Sequence, residues 1–378
     1  MEPVTLIADD ITLRPAKDAD FPALAAAMAD RDIFRWTLVP ANFGEIKWDD
    51  YLQTVRKQWR NDGVYRWFVV DTQSDELLGM VGFLVQRHET LEIVYWTTAA
   101  ARGRGVTERA CRVAIGWAFD AADARRVSWD AIIGNHFSRL LALKLGFTMT
   151  GKSRSALDQR GERVDLWTGE LLPGELRDSP PPGYPVMRAR ALAFMEEQPV
   201  LSTSLPELTL RPMAERDLDG IVEACQDAEA IRWTTIPQPY FREHAEGFLD
   251  IVRRGWVEGV NAVWVLADGD DAYCGTIDLR LGENLRVAEV GYATAAWARG
   301  KGYMTAALKA LTAYGFDVLG CERITWKAYV GNDASRRVAE KAGFTVEGVL
   351  RAEQSHRGEP RDCWLASRLR TDHLEEQK

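Results

Sequence analysis

Residues 91–120 read LEIVYWTTAAARGRGVTERACRVAIGWAFD, and residues 288–317 read AEVGYATAAWARGKGYMTAALKALTAYGFD. In both stretches an apolar strand-like run ends at an Arg-Gly-x-Gly cluster, and good helix formers follow it. The glycines allow positive φ angles and leave no Cβ in the way of a ligand. Backbone amides that converge at such a turn, with the positive end of the following helix, favour an anion such as a diphosphate. The two clusters therefore predict two strand–turn–helix units of the same kind.

The second occurrence is part of an internal repeat. Five tryptophans in the first half lie 197 residues before five in the second half. They are Trp36, Trp59, Trp67, Trp129 and Trp167, matched by Trp233, Trp256, Trp264, Trp326 and Trp364. The register slips only around residues 79–92, where Gly79 pairs best with Gly275. A period this long indicates two whole domains rather than a solenoid. We call residues 1–170 copy one and residues 208–378 copy two, with residues 171–207 as the linker between them.

The order of predicted elements is the same in the two copies. An opening strand is followed by helical stretches, further strands, the strand–turn–helix unit, a strand, a helix and a closing strand. This order predicts an α+β fold in which a mixed, mostly antiparallel central sheet is flanked by helices. The predicted helices span residues 18–28, 48–60, 107–121 and 135–147 in copy one, residues 215–225, 241–255, 304–319 and 332–344 in copy two, and residues 186–197 in the linker.

Composition excludes several classes of protein. The chain has 47 Lys and Arg residues against 56 Asp and Glu residues, and its formal net charge of -9 disfavours a nucleic-acid partner and mildly favours a cationic, amine-bearing substrate. It contains no apolar run long enough to span a membrane, and its first residues lead us to expect no secretory signal. The five cysteines form no CxxC pair, which is typical of free thiols in a reducing compartment rather than of disulfides or zinc ligands. We therefore expect a cytoplasmic protein without a membrane, nucleic-acid or metal partner.

A second repeated motif lies one strand after each glycine cluster. Asn135 and Ser138 in copy one correspond to Asn332 and Ser335 in copy two. Asn is a good helix N-cap and offers a side-chain amide at the end of a strand. A Ser three residues later lies on the same helical face, so both side chains can reach one groove.

The combined order of strand, Arg-Gly-x-Gly, helix, strand, Asn-x-x-Ser and helix resembles the GNAT acyl-CoA N-acyltransferases. The Leu-Arg-Pro openings at residues 13–15 and 210–212, and the strand Glu289–Tyr292, resemble the branch that acetylates ribosomal-protein N-termini. The resemblance implies tandem GNAT domains that take an acetyl or other acyl group from acyl-CoA to an amine of a small molecule, peptide or protein N-terminus. It also implies that the two domains pack as a pseudo-dimer, as related single-domain enzymes do.

The resemblance assigns coenzyme-binding residues position by position. The pyrophosphate loop falls on Arg102, Gly103, Arg104, Gly105, Val106 and Thr107, and on Arg299, Gly300, Lys301, Gly302, Tyr303 and Met304. The pantetheine-binding strand end falls on Trp96, Thr97 and Thr98, and on Ala293, Thr294 and Ala295. Asn135 and Asn332 are the implied coenzyme contacts, and Ser138 and Ser335 are implied to lie near the thioester sulfur. Many members carry a Tyr four residues after this Ser as the acid for the thiolate, but Ala142 and Ala339 stand there in this chain.

The reaction also needs a base and an oxyanion donor. The attacking amine must be neutral, and a carboxylate, directly or through a water, is a sufficient base. Glu92 and Glu289, each on the strand before its loop, are the candidates that occur in both copies. A backbone N–H on the splayed strand can hold the oxyanion.

Two other functions stay open at this point. The donor can be a larger acyl group, on coenzyme A or on an acyl carrier protein, in specialised-metabolite or peptide biosynthesis. One or both copies can instead hold acyl-CoA as a sensor or scaffold without turnover. We predict that copy two is the working copy because Gly291 leaves room for the substrate where copy one has the β-branched Val94. Lys301 and Tyr303, in the copy-two loop, also favour copy two. The alternative is that both copies have an active site.

Overall fold

The chain divides into two compact units, Met1–Pro182 and Gly183–Lys378. A computed structural model describes residues 1–40, 43 and 47–376. Each unit contains one eight-stranded sheet with helices packed on it. The residues of the predicted linker are shared between the two units. We keep the names copy one and copy two for equivalent residues of the first and second unit.

The first sheet has the order β1-β2-β3-β4-β5-β6-β8-β7. Its strands are β1 (Leu6–Ala8), β2 (Ile11–Arg14), β3 (Val64–Asp71), β4 (Leu77–Val85), β5 (Thr90–Thr97), β6 (Arg126–Ile132), β7 (Thr148–Gln159) and β8 (Glu162–Leu171). The described helices of this unit are α1 (Phe21–Met28), α2 (Arg31–Trp36), α3 (Trp48–Arg60), α4 (Val106–Asp120) and α5 (His136–Leu145). Every neighbouring pair of strands is antiparallel except β5 and β6.

The second sheet repeats this order from the opposite end, as β15-β16-β14-β13-β12-β11-β10-β9. Its strands are β9 (Leu201–Ser202), β10 (Thr209–Pro212), β11 (Asn261–Ala267), β12 (Tyr273–Leu281), β13 (Val287–Thr294), β14 (Arg323–Tyr329), β15 (Thr345–His356) and β16 (Glu359–Leu369). The described helices are α6 (Tyr184–Met195), α7 (Leu218–Cys225), α8 (Ala228–Trp233), α9 (Arg242–Glu258), α10 (Tyr303–Asp317), α11 (Asp333–Lys341) and α12 (Arg370–Glu376). The pair β13–β14 alone is parallel among these strands. The predicted α+β fold with a mixed, mostly antiparallel sheet is therefore confirmed in both copies.

Eight of the ten repeated tryptophans are buried, and Trp36 and Trp233 are half-buried. Trp67 and Trp264 are fully buried, and so are Trp129 and Trp326. In each unit these rings lie between the sheet and its helices, because alternate strand residues point to the same face. Exact placement of such large side chains in a close-packed core accounts for the common register.

Helix α6 packs on the second unit. Its Arg190 is buried and donates hydrogen bonds to two backbone carbonyls of that unit. After the helix, Trp264 Nε1 donates to the Pro199 carbonyl at 2.8 Å, as Trp67 Nε1 donates to the Val4 carbonyl at 2.8 Å in copy one. The last residues of the predicted linker thus supply a carbonyl acceptor to a buried tryptophan of copy two, as the first residues of the chain do in copy one.

The parallel strands stop pairing part-way along their length in both copies. The register of β5 and β6 ends at Glu92–Ser128, although both strands continue. The register of β13 and β14 ends at Val290–Trp326. A gap therefore opens between the two strands at their carboxyl ends, and α4 or α10 begins at the same end of the sheet.

Candidate active site

The two Arg-Gly-x-Gly turns form open cradles at the start of α4 and α10. Gly103 and Gly105 have φ angles of 74° and 72°, and Gly300 and Gly302 have φ angles of 76° and 80°. A Cβ added at Gly300 or Gly302 would meet no atom within 4 Å. Gly105 and Gly302 are the helix N-caps, and neither helix has a side-chain cap. The first-turn amides and the empty space in front of them fit a diphosphate.

The cradle of copy two is more open than that of copy one. In copy one the Arg109 side chain folds back, donates to the Arg104 carbonyl at 3.0 Å and would lie 3.1 Å from a Cβ at Gly105. Ala306 occupies the equivalent position of copy two. A phosphate group therefore meets less side-chain bulk at the copy-two turn.

The first arginine of each cluster has a different partner from the one the sequence suggests. Arg102 forms ion pairs with Asp30 at 2.6 Å and Asp32 at 2.8 Å, and Arg299 pairs with Asp227. Asp30 and Asp227 are the N-caps of α2 and α8. The hydrogen bond from Arg299 is the main cause of the lowered pKa of Asp227. These arginines hold a short helix beside the turn.

Other predicted loop side chains face the core. Val106, Tyr303 and Met304 are buried. Thr107 Oγ1 is hydrogen-bonded to Thr97 Oγ1, and Lys301 Nζ lies 5.6 Å from the centre of the Tyr303 ring. The backbone and the glycines, rather than these side chains, thus shape the cradle.

A Ser–Tyr–Trp cluster closes one face of the gap in copy one. Ser138 Oγ lies 2.9 Å from Tyr95 Oη. Trp129 Nε1 donates to Ser138 Oγ at 3.1 Å and to Tyr95 Oη at 3.2 Å. Asn135 Oδ1 accepts the Ser138 N–H at 3.2 Å and so caps α5. Burial raises the pKa of Tyr95, so this hydroxyl keeps its proton.

Copy two repeats the cluster. Ser335 Oγ donates to Tyr292 Oη at 3.1 Å, and Tyr292 Oη donates to the Ser335 carbonyl at 2.9 Å. Asn332 Oδ1 accepts the Ser335 N–H at 3.2 Å. Burial is the main cause that raises the pKa of Tyr292 to about 12, against the lowering effect of hydrogen bonds to Ser335 and Trp326. A neutral Tyr and Ser pair therefore faces the gap in both copies.

These tyrosines were not among the predicted site residues. Ala142 and Ala339, which stand where many family members carry a Tyr, are buried in the core. Tyr95 and Tyr292 bring a phenol to the same Ser from the neighbouring strand instead. Their spacing of 197 residues, in a strand where Glu92 and Glu289 also match, was the available signal.

The other face of the gap in copy two carries a ladder of three cross-strand pairs between β12 and β13. The register pairs Thr276 with Ala293, Asp278 with Gly291 and Arg280 with Glu289. Paired residues of neighbouring strands point to the same face, so all six side-chain positions lie together. Asp278 is a second candidate site residue that the sequence did not predict. The comparison of Gly82 with Asp278 in the slipped register could have found it.

Asp278 has the properties of a general base. Its side chain is 16% exposed, and its Oδ2 lies 2.8 Å from Arg280 Nε. Burial raises the pKa of Asp278 to about 6, the Arg280 charge opposes this shift, and the Glu289 charge adds to it. A carboxylate with this pKa is ionised at neutral pH and still basic enough to accept a proton.

Glu289, the base predicted from the sequence, is held by two cations. Its carboxylate lies 3.2 Å from Arg280 Nη1 and 3.5 Å from Lys327 Nζ. The expected free space at Gly291 is a correction. A Cβ there would clash with Arg280 Nη2 and lie 2.8 Å from Asp278 Oδ1. The missing side chain lets these two groups lie over the strand, so the room is filled by the charged cluster.

Copy one has a different ladder at the same positions. Met80 pairs with Trp96, Gly82 with Val94 and Leu84 with Glu92. Gln86 Nε2 donates to Glu92 at 2.8 Å. Burial, with the charge of Asp130 as a second cause, raises the pKa of Glu92. Copy one therefore keeps the predicted carboxylate but has no side chain opposite Val94.

Comparison with known proteins assigns the family. The family model for the acetyltransferase (GNAT) domain matches residues 10–148 and again residues 207–345. The chain belongs to the GNAT acetyltransferase family. The prediction of two tandem GNAT acetyltransferase domains is thereby confirmed.

Relatives of this GNAT protein match it over stretches of about the length of one copy. "Putative ribosomal N-acetyltransferase YdaF" of Bacillus subtilis is 30% identical over 172 residues, which cover 44% of this chain and 91% of that protein. "Uncharacterized N-acetyltransferase YoaA" of the same species is 28% identical over 166 residues, 43% of this chain and 93% of that protein. A solved structure of RimL, a ribosomal L7/L12 α-N-protein acetyltransferase in complex with coenzyme A, is 20% identical, covers 45% of this chain and 98% of its own, and has a TM-score of 0.42.

The described part of this GNAT protein contains no group of three or more His, Cys, Asp or Glu that could hold a metal ion. Among its described helices, none has the length and apolar character needed to cross a membrane. Its five cysteines are free thiols.

Proposed function

We propose that copy two transfers an acetyl group from acetyl-CoA to a primary amine, in the gap between β13 and β14. The proposal rests on a candidate base and a candidate acid that lie on the two opposite faces of strand β13. Asp278 lies over Gly291 on one face of β13, and the next residue, Tyr292, reaches Ser335 on the other. When bound, acetyl-CoA supplies an acyl group activated as a thioester.

On the amine side, Asp278 accepts the proton that the attacking nitrogen loses. Arg280 and Glu289 keep its carboxylate next to Gly291 through the ion pairs described above. Because its pKa is about 6, Asp278 is ionised at neutral pH before the amine arrives. Glu289 is then a positioning residue rather than the base.

On the thiol side, the departing sulfur gains a proton through the Ser335 hydroxyl. Tyr292 is protonated at neutral pH, and its Oη accepts from Ser335 Oγ at 3.1 Å while donating to the Ser335 carbonyl. Once Ser335 has given its proton to the sulfur, the Tyr292 hydroxyl turns from the carbonyl to Ser335 Oγ and replaces that proton, and solvent then reprotonates the phenol. One proton thus leaves the amine for Asp278 and one reaches the sulfur through Ser335. The acyl group moves from sulfur to nitrogen without a change in oxidation state.

For the acceptor, we propose an α-amine of a peptide, protein N-terminus or small molecule. An α-amine has a pKa near ~8 and is neutral far more often at pH 7 than a lysine amine near ~10. YdaF is named as a ribosomal N-acetyltransferase, which supports a peptide α-amine. We propose the cytoplasm as the setting, as expected from the sequence.

For copy one, we propose a second role, the holding of acyl-CoA without efficient turnover. Its glycine turn is intact, but its ladder lacks a carboxylate opposite Val94. Large side chains, Met80 and Trp96, stand where copy two has Thr276 and Ala293. These features favour binding over acceptor access.

Replacement of Ser335 by Ala should lower the rate of thiol release with acetyl-CoA and an α-amine by about 100-fold, because proton delivery to the sulfur is lost. The matched variant Ser138→Ala should keep most of the activity. Free thiol and acetylated amine are measured together. A dead Ser138→Ala protein beside a fully active Ser335→Ala protein would reverse the roles of the copies. Absence of amine-dependent thiol release in the wild type would refute the proposed function.

The expected pseudo-twofold packing of the two copies stays a prediction based on the linker length and on sheet edges that need protection. Small-angle X-ray scattering should give the radius of gyration of one compact particle. A scattering curve of two freely tumbling lobes would contradict it.

A further inference from the structure

A pocket opens in copy two beside the proposed reaction centre. It contains about 600 Å³ of empty space, part of it open to solvent, between α7 and α8 on one side and the ends of β12 and β13 on the other. Thr276 and Ala293, the first pair of the ladder, line it. The next pair along the strands is Asp278 with Gly291, so the pocket begins two residues, roughly 7 Å, from the proposed base.

The lining of this pocket is apolar and uncharged. None of the described residues that line it is an Asp, Glu, Lys, Arg or His. Its polar groups include the side chains of Cys225 and Tyr240. Burial is the main cause that raises the pKa of Cys225 to about 11 and of Tyr240 to about 12, so both are neutral at physiological pH. A charged group would lose its hydration in this pocket without gaining a counter-charge.

Copy one has large side chains at the equivalent positions. Cys225 and Ala230 of copy two correspond to Met28 and Ile33, which are buried in one cluster of copy one. Thr276 and Ala293 correspond to Met80 and Trp96, and both pack against the same cluster. Copy two thus has a smaller residue than copy one at each of these four neighbouring positions.

We infer that this copy-two pocket binds an apolar side chain carried next to the acceptor amine, so that copy two selects α-amines of apolar amino acids or of peptides that begin with them. The inference rests on the proposed function. The coenzyme arm must run from the thioester near Tyr292 to the loop at Arg299–Tyr303, along the strand end that lines the pocket. In an extended thioester the acyl chain lies on the other side of the carbonyl carbon from the sulfur, so it points away from the coenzyme arm and from this strand end. A substituent of the amine held at Asp278 has the pocket directly beside it.

The test uses acetyl-CoA as the donor and compares kcat/KM for three acceptor amines, namely glycinamide, leucinamide and glutaminamide. We expect kcat/KM for leucinamide to exceed that for the other two by about 10- to 100-fold, which is the usual range for burial of a small apolar group. The double variant Cys225→Met with Ala230→Ile introduces the copy-one residues and should reduce this preference to less than about 3-fold. The reaction of glycinamide and the affinity for acetyl-CoA should stay unchanged.

The control variant Cys225→Ala removes the thiol without filling the pocket and should keep the preference for leucinamide. If the filled variant does not fold, Ala230→Ile alone is measured in its place. Equal rates for the three acceptors in the wild type, or an unchanged preference in a folded filled variant, would overturn the inference and leave the proposed function standing.

A further arm uses hexanoyl-CoA with glycinamide. If filling the pocket abolishes this reaction and spares leucinamide acetylation, the pocket holds the acyl chain and the acceptor assignment is wrong. If no amine is acetylated, the proposed function fails. Calorimetric titrations with leucinamide and with glycinamide, each in the presence of coenzyme A, then test separately whether the pocket binds an apolar side chain. Selective binding of leucinamide that the filled variant loses would support the inference, and its absence would refute it.

Discussion

Asp278→Asn should lower kcat/KM for acetyl transfer by about 100- to 10,000-fold, the range for loss of a general base. The wild-type rate, expressed per neutral amine, should rise with pH through about 6 and then level off, because Asp278 accepts a proton only when it is ionised. Because the pKa of Asp278 is raised, this rising limb of the pH–rate profile lies about two pH units above the limb that an ordinary Asp would give. The Asn variant should lose the limb together with the rate. Steady-state kinetics from pH 5 to 9 measure both.

Glu289→Gln is the matched control for this experiment. It removes the neighbouring charge that raises the pKa of Asp278, so the limb should move to lower pH while most of the rate at pH 8 is kept. If Glu289→Gln instead loses both rate and limb while Asp278→Asn stays active, Glu289 is the base, as the sequence alone suggested. Glu92→Gln should leave copy-two catalysis unchanged.

Gly302→Val should weaken acetyl-CoA binding at copy two by about 100-fold or more. The φ angle of 80° at this residue strains a β-branched side chain, and the added carbons enter the open space in front of the α10 amides. Loss of charge-assisted hydrogen bonds to the diphosphate adds to this cost. Calorimetric titration should show one strong site where the wild type shows two.

Gly105→Val supplies the matched variant for the other copy. It should remove the copy-one site, keep the copy-two site and leave acetyl transfer largely intact. A folded Gly302→Val protein, judged by circular dichroism, with unchanged affinity and two sites would show that the coenzyme does not use this turn.

The sequence predicts structure most accurately where local interactions dominate. The predicted helices at residues 107–121 and 304–319 are α4 and α10, whose bounds differ from the prediction by one or two residues. Glycine at a positive-φ N-cap followed by helix formers leaves the chain few alternatives there. The predicted helix at residues 48–60 is α3, because its apolar residues recur with the helical period and pack on the sheet.

Elements without a clear hydrophobic period were missed. Strands β7 and β15 are polar on most of both faces, and register shifts interrupt their pairing with the neighbouring strand. Helices α2 and α8 have six residues each, too short for a period to show. They are held by the caps Asp30 and Asp227, each paired with an arginine more than 70 positions away. Such contacts cannot be inferred from a local window.

The tandem repeat, the family and the two glycine turns are readable from the order of residues alone, because the repeat keeps one constant spacing and each turn is a short local motif. The chemistry around the gap depends on the folded sheet. Tyr292 and Ser335 are 43 residues apart and meet only because β13 and α11 flank the same opening. Asp278 becomes a candidate base only through its pairing with Gly291 and its burial, which raises its pKa. Cross-strand register and loss of solvent are properties of the folded sheet, and no run of residues read in order contains them.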